Sequence, residues 1–322
     1  MPEIVTPPPL TRFIGCDVGK AAIVVFDSRD GSSRSLANTP EALAAFAASL
    51  DATGLVVCEA TGGYEDALLA ALLVAGIPAH RADARKVKAF IRSFGTLGKS
   101  DALDARALAR YAEERHARLP RWQAPDPQRE RLQTLVLTRA DLIAQRTACT
   151  NRLKAPGAEP VRPYLEALCA CLVGQIQALE AAIAELMASA DDLVRAEKTL
   201  RAIPGIGATT AAALIALMPE LGHIDRRQAA ALAGVAPHPN QSGAADAYRR
   251  TRGGRPEVKR TLFLAAMAAS RFHPGLKDAY QRLRKAGKKP IVALTALMRR
   301  LIVIANARLR DAFAEHRQAS AN

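Results

Sequence analysis

Two aspartates three positions apart, Asp101 and Asp104 in KSDALDARALARYA, stand in a stretch that otherwise reads as an Ala-, Leu- and Arg-rich helix. Positions i and i+3 share a helix face, so both carboxylates point the same way. Two more acids end short apolar runs, Asp17 in GCDVGK and Glu59 in VVCEATGG. A helix laid over those two strand ends would gather four carboxylates in one cleft. Such a cluster raises its own pKa values through repulsion unless cations neutralise it. Hard oxygen donors that leave positions for water suit Mg²⁺ or Mn²⁺, and paired ions of that kind stabilise attacking and leaving oxygens at a phosphorus centre. Simpler roles compete for each acid. A carboxylate at a helix start gains about 0.3–1 kcal/mol from the helix dipole, which accounts for Asp101 after Ser100 but gives Asp104 little. Asp17, before a Gly-Lys pair, also suits a turn. Glu59 has the weakest simpler role, because a glutamate ending an apolar strand wants a partner. The neighbouring Glu65 and Asp66 read as solvated charges at a helix start.

The elements that must position these acids follow from periodicity and punctuation. RFIGCDVGK and AAIVVFDS read as two strands joined by a tight turn, with SRSLAN a third. TPEALAAFAASL is a helix with Thr39 as its cap and Pro40 at its first position. GLVVCEA is a central strand, GYEDALLAALLVAG the helix after it, and IPAHRA a fifth strand. DARKVKAFIRSFG and SDALDARALARYAEER are further helices. A hairpin followed by alternating strands and helices is the order of an RNase H-like α/β domain, here residues 1–120. LPRWQAPDP marks a boundary. Beyond it, two long helices near 128–154 and 162–190 form a hairpin domain, 121–192. In the second, Leu165, Leu168, Leu172, Ile176, Leu179, Ile183 and Leu186 make a heptad-like seam, predicting a coiled-coil hairpin that also oligomerises.

The last domain, 193–322, reads as all-helical and basic. LRAIPGIGATTAAALIALM has a helix-hairpin-helix look, and Gly205 and Gly207 would expose backbone N–H groups to a phosphate. Further helices are predicted near 256–271, 275–286 and 290–315. Residues 1–200 hold 24 Lys and Arg against 24 Asp and Glu, whereas 201–322 hold 21 against 7, so the whole excess of +14 lies in the last third. A basic field that large and local points to a polyanion, foremost nucleic acid. The five cysteines form no CxxC pair, which argues against a disulfide framework or a zinc knuckle, and Cys16 and Cys58 suit buried strand positions. No apolar run is expected to be long enough to span a bilayer, and MPEIVTPPPLT is unlike a secretory signal, so no membrane partner and a cytoplasmic location are expected.

GCDVGK, CEATGGYE and KSDALDARALARYA resemble, in order, the three acidic motifs of the DEDD-type insertion-sequence transposases. IPGIGATTAAALIALM, LAGVAPHPNQSG and RGGRPEVKRTLFLAAMAASR resemble that family's C-terminal domain. The resemblance runs from about residue 12 to 300. It implies a RuvC-like domain whose tetrad is Asp17, Glu59, Asp101 and Asp104, and a catalytic serine at Ser242 in NQSG. It further implies a recombinase directed by a structured bridge RNA, acting as dimers that join into tetramers with active sites shared between protomers. Attack by the serine on phosphorus would leave a 5′-phosphoserine linkage. Downstream, Arg249, Arg250, Arg252 and Arg255 could clamp the phosphate with forked hydrogen bonds, and Lys259 and Arg260 extend the basic surface. A metal-only RuvC-like nuclease or junction resolvase is the competing expectation, with Ser242 a bystander.

Overall fold

The strand β1 (Arg12–Val18) buries Phe13, Ile14, Cys16 and Val18 on both its faces, as a sheet-centre strand must. The computed structural model describes residues 9–95, 100–238 and 250–319, with backbone only at 241–242, 245–246 and 320–321. There β1 lies between an antiparallel β2 (Ala22–Asp27) and a parallel β4 (Gly54–Glu59). With β3 (Ser33–Ala37) beside β2 and β5 (Ala79–Ala82) beside β4, the sheet order is β3-β2-β1-β4-β5. Its alternation assigns the covering helices. Ile14, Cys16, Val25, Val56 and Cys58 pack with α1 (Pro40–Ala48) and α2 (Asp66–Val74). Phe13, Leu55 and Val57 pack on the other face with α3 (Ala84–Arg92) and α4 (Asp101–Arg115).

Local chemistry sets the helix starts. The Thr39 hydroxyl accepts from the Ala42 N–H, the Asp83 carboxylate from Arg85, and the Ser100 hydroxyl from Leu103 at 3.3 Å. The Pro-rich stretch after α4 is pinned to the sheet edge, because the Trp122 N–H donates to the Ala79 carbonyl at 2.7 Å. Burial lowers the pKa of His80, and the neutral ring donates from Nδ1 to the Pro120 carbonyl at 2.8 Å.

The chain divides into two compact units, Met1–Pro125 and Asp126–Asn322. In the second, α5 (Pro127–Leu153) and α6 (Arg162–Ala188) form an antiparallel hairpin: Cys149 Sγ lies 3.3 Å from the Leu165 carbonyl, and Arg139 Nε donates to Glu180 at 2.9 Å. At the hairpin base, Leu132, Val136, Ile183 and Leu186 enter a core with the helices that follow. These are α7 (Asp191–Arg201), α8 (Ala208–Leu217), α9 (Arg226–Leu232), α10 (Pro256–Phe272), α11 (Pro274–Lys285) and α12 (Pro290–Ala321). Helix α8 is the hub, buried from Ala211 through Leu217. Of the predicted seam, Leu172, Ile176, Ile183 and Leu186 are buried, Leu165 and Leu179 are half-buried, and Leu168 is exposed.

One expectation is corrected. Glu159–Ala188 and Pro290–Ala319 are each long and apolar enough to cross a membrane, with mean hydropathies of 1.6 and 1.5. Alanine-rich helices reach such values despite scattered charges, so neither segment stands out as a continuous apolar run. Both have partners in the unit: α6 pairs with α5, and Leu297, Leu301 and Ile302 of α12 lie in the core.

Candidate active site

Cys16 and Cys58 are register partners across β1 and β4. The next residues, Asp17 and Glu59, therefore fall on the opposite face at neighbouring levels, on the side that α4 covers. Helix and strand run in opposite senses, since the Phe13 ring lies 5.1 Å from that of His116 while Gly15 lies under Ala105 and Ala109. The first turn of α4 is thus at the level of Asp17. Gly15 permits this approach: a Cβ there would sit 1.9 Å from the Ala105 carbonyl oxygen and 2.5 Å from the Ala109 nitrogen. Ala105, Leu108, Ala109 and Ala112 form the buried stripe of α4, and Asp101 and Asp104 extend it by one turn beyond the core.

Asp17, Glu59 and Asp104 are half-buried, and Asp101 is exposed. Among the described residues Glu59, Asp101 and Asp104 enter no ion pair, whereas Asp27, Asp51, Glu65 and Asp83 each face an arginine. Oxygen donors without a competing cation fit a hard divalent ion. Among the described residues, however, no three His, Cys, Asp or Glu groups are gathered closely enough to hold a metal ion. The acids share a face and an end of the sheet without forming a coordination shell. Cys16 and Cys58 face away from them, and burial pushes the Cys58 thiol up to about 12, which leaves it unreactive.

In the second unit the segment carrying Ser242 starts and returns at one place. Gly234 and Gly254 touch there, such that a Cβ on Gly254 would lie 2.1 Å from the Gly234 nitrogen. The Arg255 N–H donates to the Leu232 carbonyl at 2.9 Å, and Pro237 and Thr251 form a bridge. Beyond the bridge, β6 (Gln241–Ser242) pairs antiparallel with β7 (Ala245–Asp246). The Ser242 side chain and all of Arg249 lie outside the described residues. Arg250 and Arg252 are exposed. Arg255 instead turns inward: its guanidinium forks onto Glu220 at 2.6 and 2.8 Å and donates to the Leu217 carbonyl at 2.6 Å. Lys259 donates to the Thr251 hydroxyl at 3.3 Å, and Arg260 pairs with Glu257. Gly205 has a packing reason, since a Cβ there would meet that of Ala269 in α10 at 2.7 Å. Gly207 is the N-cap of α8 with open space beside it.

A DEDD transposase model for IS110 elements, described as Transposase, matches residues 14–156, and the model Transposase IS116/IS110/IS902 family matches residues 197–281. The chain belongs to this transposase family. The transposase is 26% identical over 267 residues to a pilin gene-inverting protein of Moraxella lacunata, covering 80% of each chain. It is 27% identical over 236 residues to the pilin gene-inverting protein of Moraxella bovis, covering 70% of each. It is 32% identical over 200 residues to an uncharacterized 43.6 kDa protein of insertion element IS110 from Streptomyces coelicolor, covering 57% of this chain and 47% of that one. Membership makes the transposase an enzyme that acts on DNA, and places it with the proteins of transposition and recombination.

Two further residues shape the carboxylate end of the sheet. Glu65 is not the solvated charge expected from its position: it is 2% exposed, and its carboxylate accepts from the Thr61 N–H at 3.1 Å, the Thr61 hydroxyl at 3.0 Å and the Gly63 N–H at 3.0 Å. Burial alone would raise its pKa; hydrogen bonds from its own N–H and from Thr61 and Gly63 outweigh that and hold it below the ordinary value. Glu65 thereby folds the loop that leaves Glu59. Asn38 ties that loop to the turn after β1, its Nδ2 donating to the Gly19 carbonyl at 3.0 Å and the Tyr64 carbonyl at 3.1 Å. The signal for Glu65 was the Thr-Gly-Gly before it, a loop with several N–H groups to satisfy. Asn38 gave none.

Proposed function

We propose that the transposase excises and inserts DNA through a covalent phosphoserine on Ser242, assisted by a carboxylate-metal site and directed by a structured guide RNA. The observation that carries this reading is the seating of α4 on Gly15, which sets the first turn of α4, with Asp101 and Asp104, on the sheet face that Asp17 and Glu59 share. Sheet order β3-β2-β1-β4-β5, in which β2 alone runs opposite to the other four strands, supports a RuvC-like assignment for residues 1–120. On this reading residues 121–192 are the oligomerisation hairpin, and 193–322 carry the serine and the nucleic-acid surface. Exposed Tyr164, Leu168 and Val173 on α6 support dimers and tetramers through the hairpin. On this reading the enzyme works in the cytoplasm, associated with the nucleoid when active.

Asp17, Glu59, Asp101 and Asp104 would hold the cation, Mg²⁺ or Mn²⁺. What the ion supplies when bound is stabilisation of negative charge on oxygens at phosphorus. The chain's own part begins with Ser242. Its Oγ bonds to the scissile phosphorus, the bond from phosphorus to the leaving strand breaks, and the hydroxyl proton passes to a carboxylate base. The phosphoserine ester keeps the bond energy for rejoining. Arg250 and Arg252 neutralise the phosphate nearby.

The test is covalent trapping. Purified protein with the RNA encoded beside its gene and cognate DNA should yield a protein–DNA adduct. Ser242→Ala should yield none, and Asp104→Asn should sharply reduce it. Cutting by Ser242→Ala without any adduct would assign the chemistry to the carboxylate site alone.

A further inference from the structure

In the second unit, α10, the start of α12 and the root of the Ser242 segment enclose a groove of about 1010 Å³. Its lower wall is apolar. Phe263 lines it half-buried, and Leu264 and Ile291 line it with 63% and 55% of their surface exposed. Its rim is cationic, made by Arg250, Lys259, Arg260 and Arg299. Among the described residues the lining holds no Asp or Glu, and Arg250 and Arg299 enter no ion pair. Exposed apolar surface rimmed by four cations, of which, among the described residues, Arg260 alone shares its charge with a carboxylate (Glu257), suits neither the aliphatic seam of a helical partner nor a smooth duplex backbone. A duplex presents phosphates and keeps its bases stacked inside. An unpaired nucleotide presents both complements at once, a flat base for the apolar wall and a phosphate for the rim. The groove is larger than one nucleotide requires, and its wall includes Pro237 and Thr251, the bridge from which the Ser242 segment departs.

We infer that this groove binds unpaired nucleotides of a single strand, with bases against Phe263, Leu264 and Ile291 and phosphates on Arg250, Arg260 and Arg299. The inference rests on the proposed function only in taking nucleic acid as the partner. The strand is DNA opened beside the reacting phosphate or an unpaired stretch of guide RNA; the recognition chemistry is the same.

The test uses the full chain, in EDTA to prevent cutting, and fluorescence anisotropy with four labelled 10-mers: oligo-dT, oligo-U, and each backbone with abasic residues replacing the bases. Wild type should bind at least one intact strand about tenfold more tightly than its abasic counterpart. Leu264→Glu, at an exposed position that tolerates a polar side chain, should abolish that preference. Arg299→Glu should weaken intact and abasic strands alike. A preference for dT assigns the groove to the DNA strand and one for U to the guide strand. Equal binding of intact and abasic strands by wild type would overturn the inference. So would a Leu264→Glu protein that keeps the preference, or one whose only change is a smaller assembly on sedimentation, which would assign the face to a second copy. Ser242→Ala and Asp104→Asn should keep the base preference, so failure of covalent trapping and failure of this inference are separately visible.

Discussion

At the scale of single residues, two carboxylates of the first unit have opposite situations. Asp104 is half-buried with no ion pair among the described residues, and on the proposed function it is one of the four cation-binding acids. Asp104→Asn should lower strand cleavage by about 10²-fold or more, while leaving the melting temperature unchanged, because no side-chain hydrogen bond or ion pair among the described residues is lost. Parallel cleavage assays and thermal melts check both halves of that statement. Glu65 is the reverse case, a buried carboxylate satisfied by three donors. Glu65→Gln can keep its amide oxygen on the three donors, but it removes the charge that strengthens those bonds and turns its N–H₂ toward the Arg81 guanidinium, so it should cost about 1–3 kcal/mol in urea unfolding. The pH dependence has a definite sign. A pKa held below the ordinary glutamate value of 4.5 means stability that is complete above that value and lost as the pH falls through the folded one. The difference in urea midpoint between wild type and Glu65→Gln should therefore be full at pH 7 and shrink steadily below about pH 4.5.

At the scale of elements, the site depends on one contact, α4 against Gly15. A methyl group there meets helix backbone at 1.9 and 2.5 Å, which no rotamer change relieves. Gly15→Ala should destabilise the transposase by about 3 kcal/mol or more. It should also lower cleavage beyond what the lost folded fraction explains, because the helix carrying Asp101 and Asp104 must lift; urea titration and cleavage per folded molecule measure the two effects. The elements themselves were legible in the chain. Thr39-Pro40 and Ser100 marked helix starts, alternation marked the strands, and α5 and α6 fall within two residues of their expected ends. What local sequence does not carry is the pairing of distant elements. Gly15 reads as one more strand glycine until α4 is on it, ninety positions later. Arg255 reads as a phosphate clamp until Glu220 is found opposite, thirty-five positions earlier. Glu65 reads as a surface charge until the loop closes over it. The α6 seam was legible as a period, but a period does not say where the partner helix ends, and Leu168 is left exposed.

At the scale of the whole molecule, the net charge belongs to one unit and the four candidate acids to the other. Met1–Pro125 holds 15 Lys and Arg against 14 Asp and Glu, while Asp126–Asn322 holds 30 against 17. A nearly neutral unit can carry a cation-binding carboxylate site without a basic surface competing for those acids. A basic unit can hold a polyanion whose binding is paid for by released counterions. Salt dependence therefore reports on the second unit. Plotted as log K against log salt, duplex binding should fall with a slope of about −0.9 for each phosphate neutralised. Arg250, exposed and without an ion pair among the described residues, should contribute one such contact, so Arg250→Ala should make the slope shallower by about 1. Arg255 is already forked onto Glu220 and the Leu217 carbonyl. Arg255→Ala should leave the slope unchanged and instead lower the melting temperature, because it strands Glu220 and a backbone acceptor. Equal changes in slope for the two variants, measured by anisotropy from 50 to 200 mM salt, would mean that Arg255 abandons Glu220 for phosphate when DNA binds, and the inward-facing arginine would then be part of the interface.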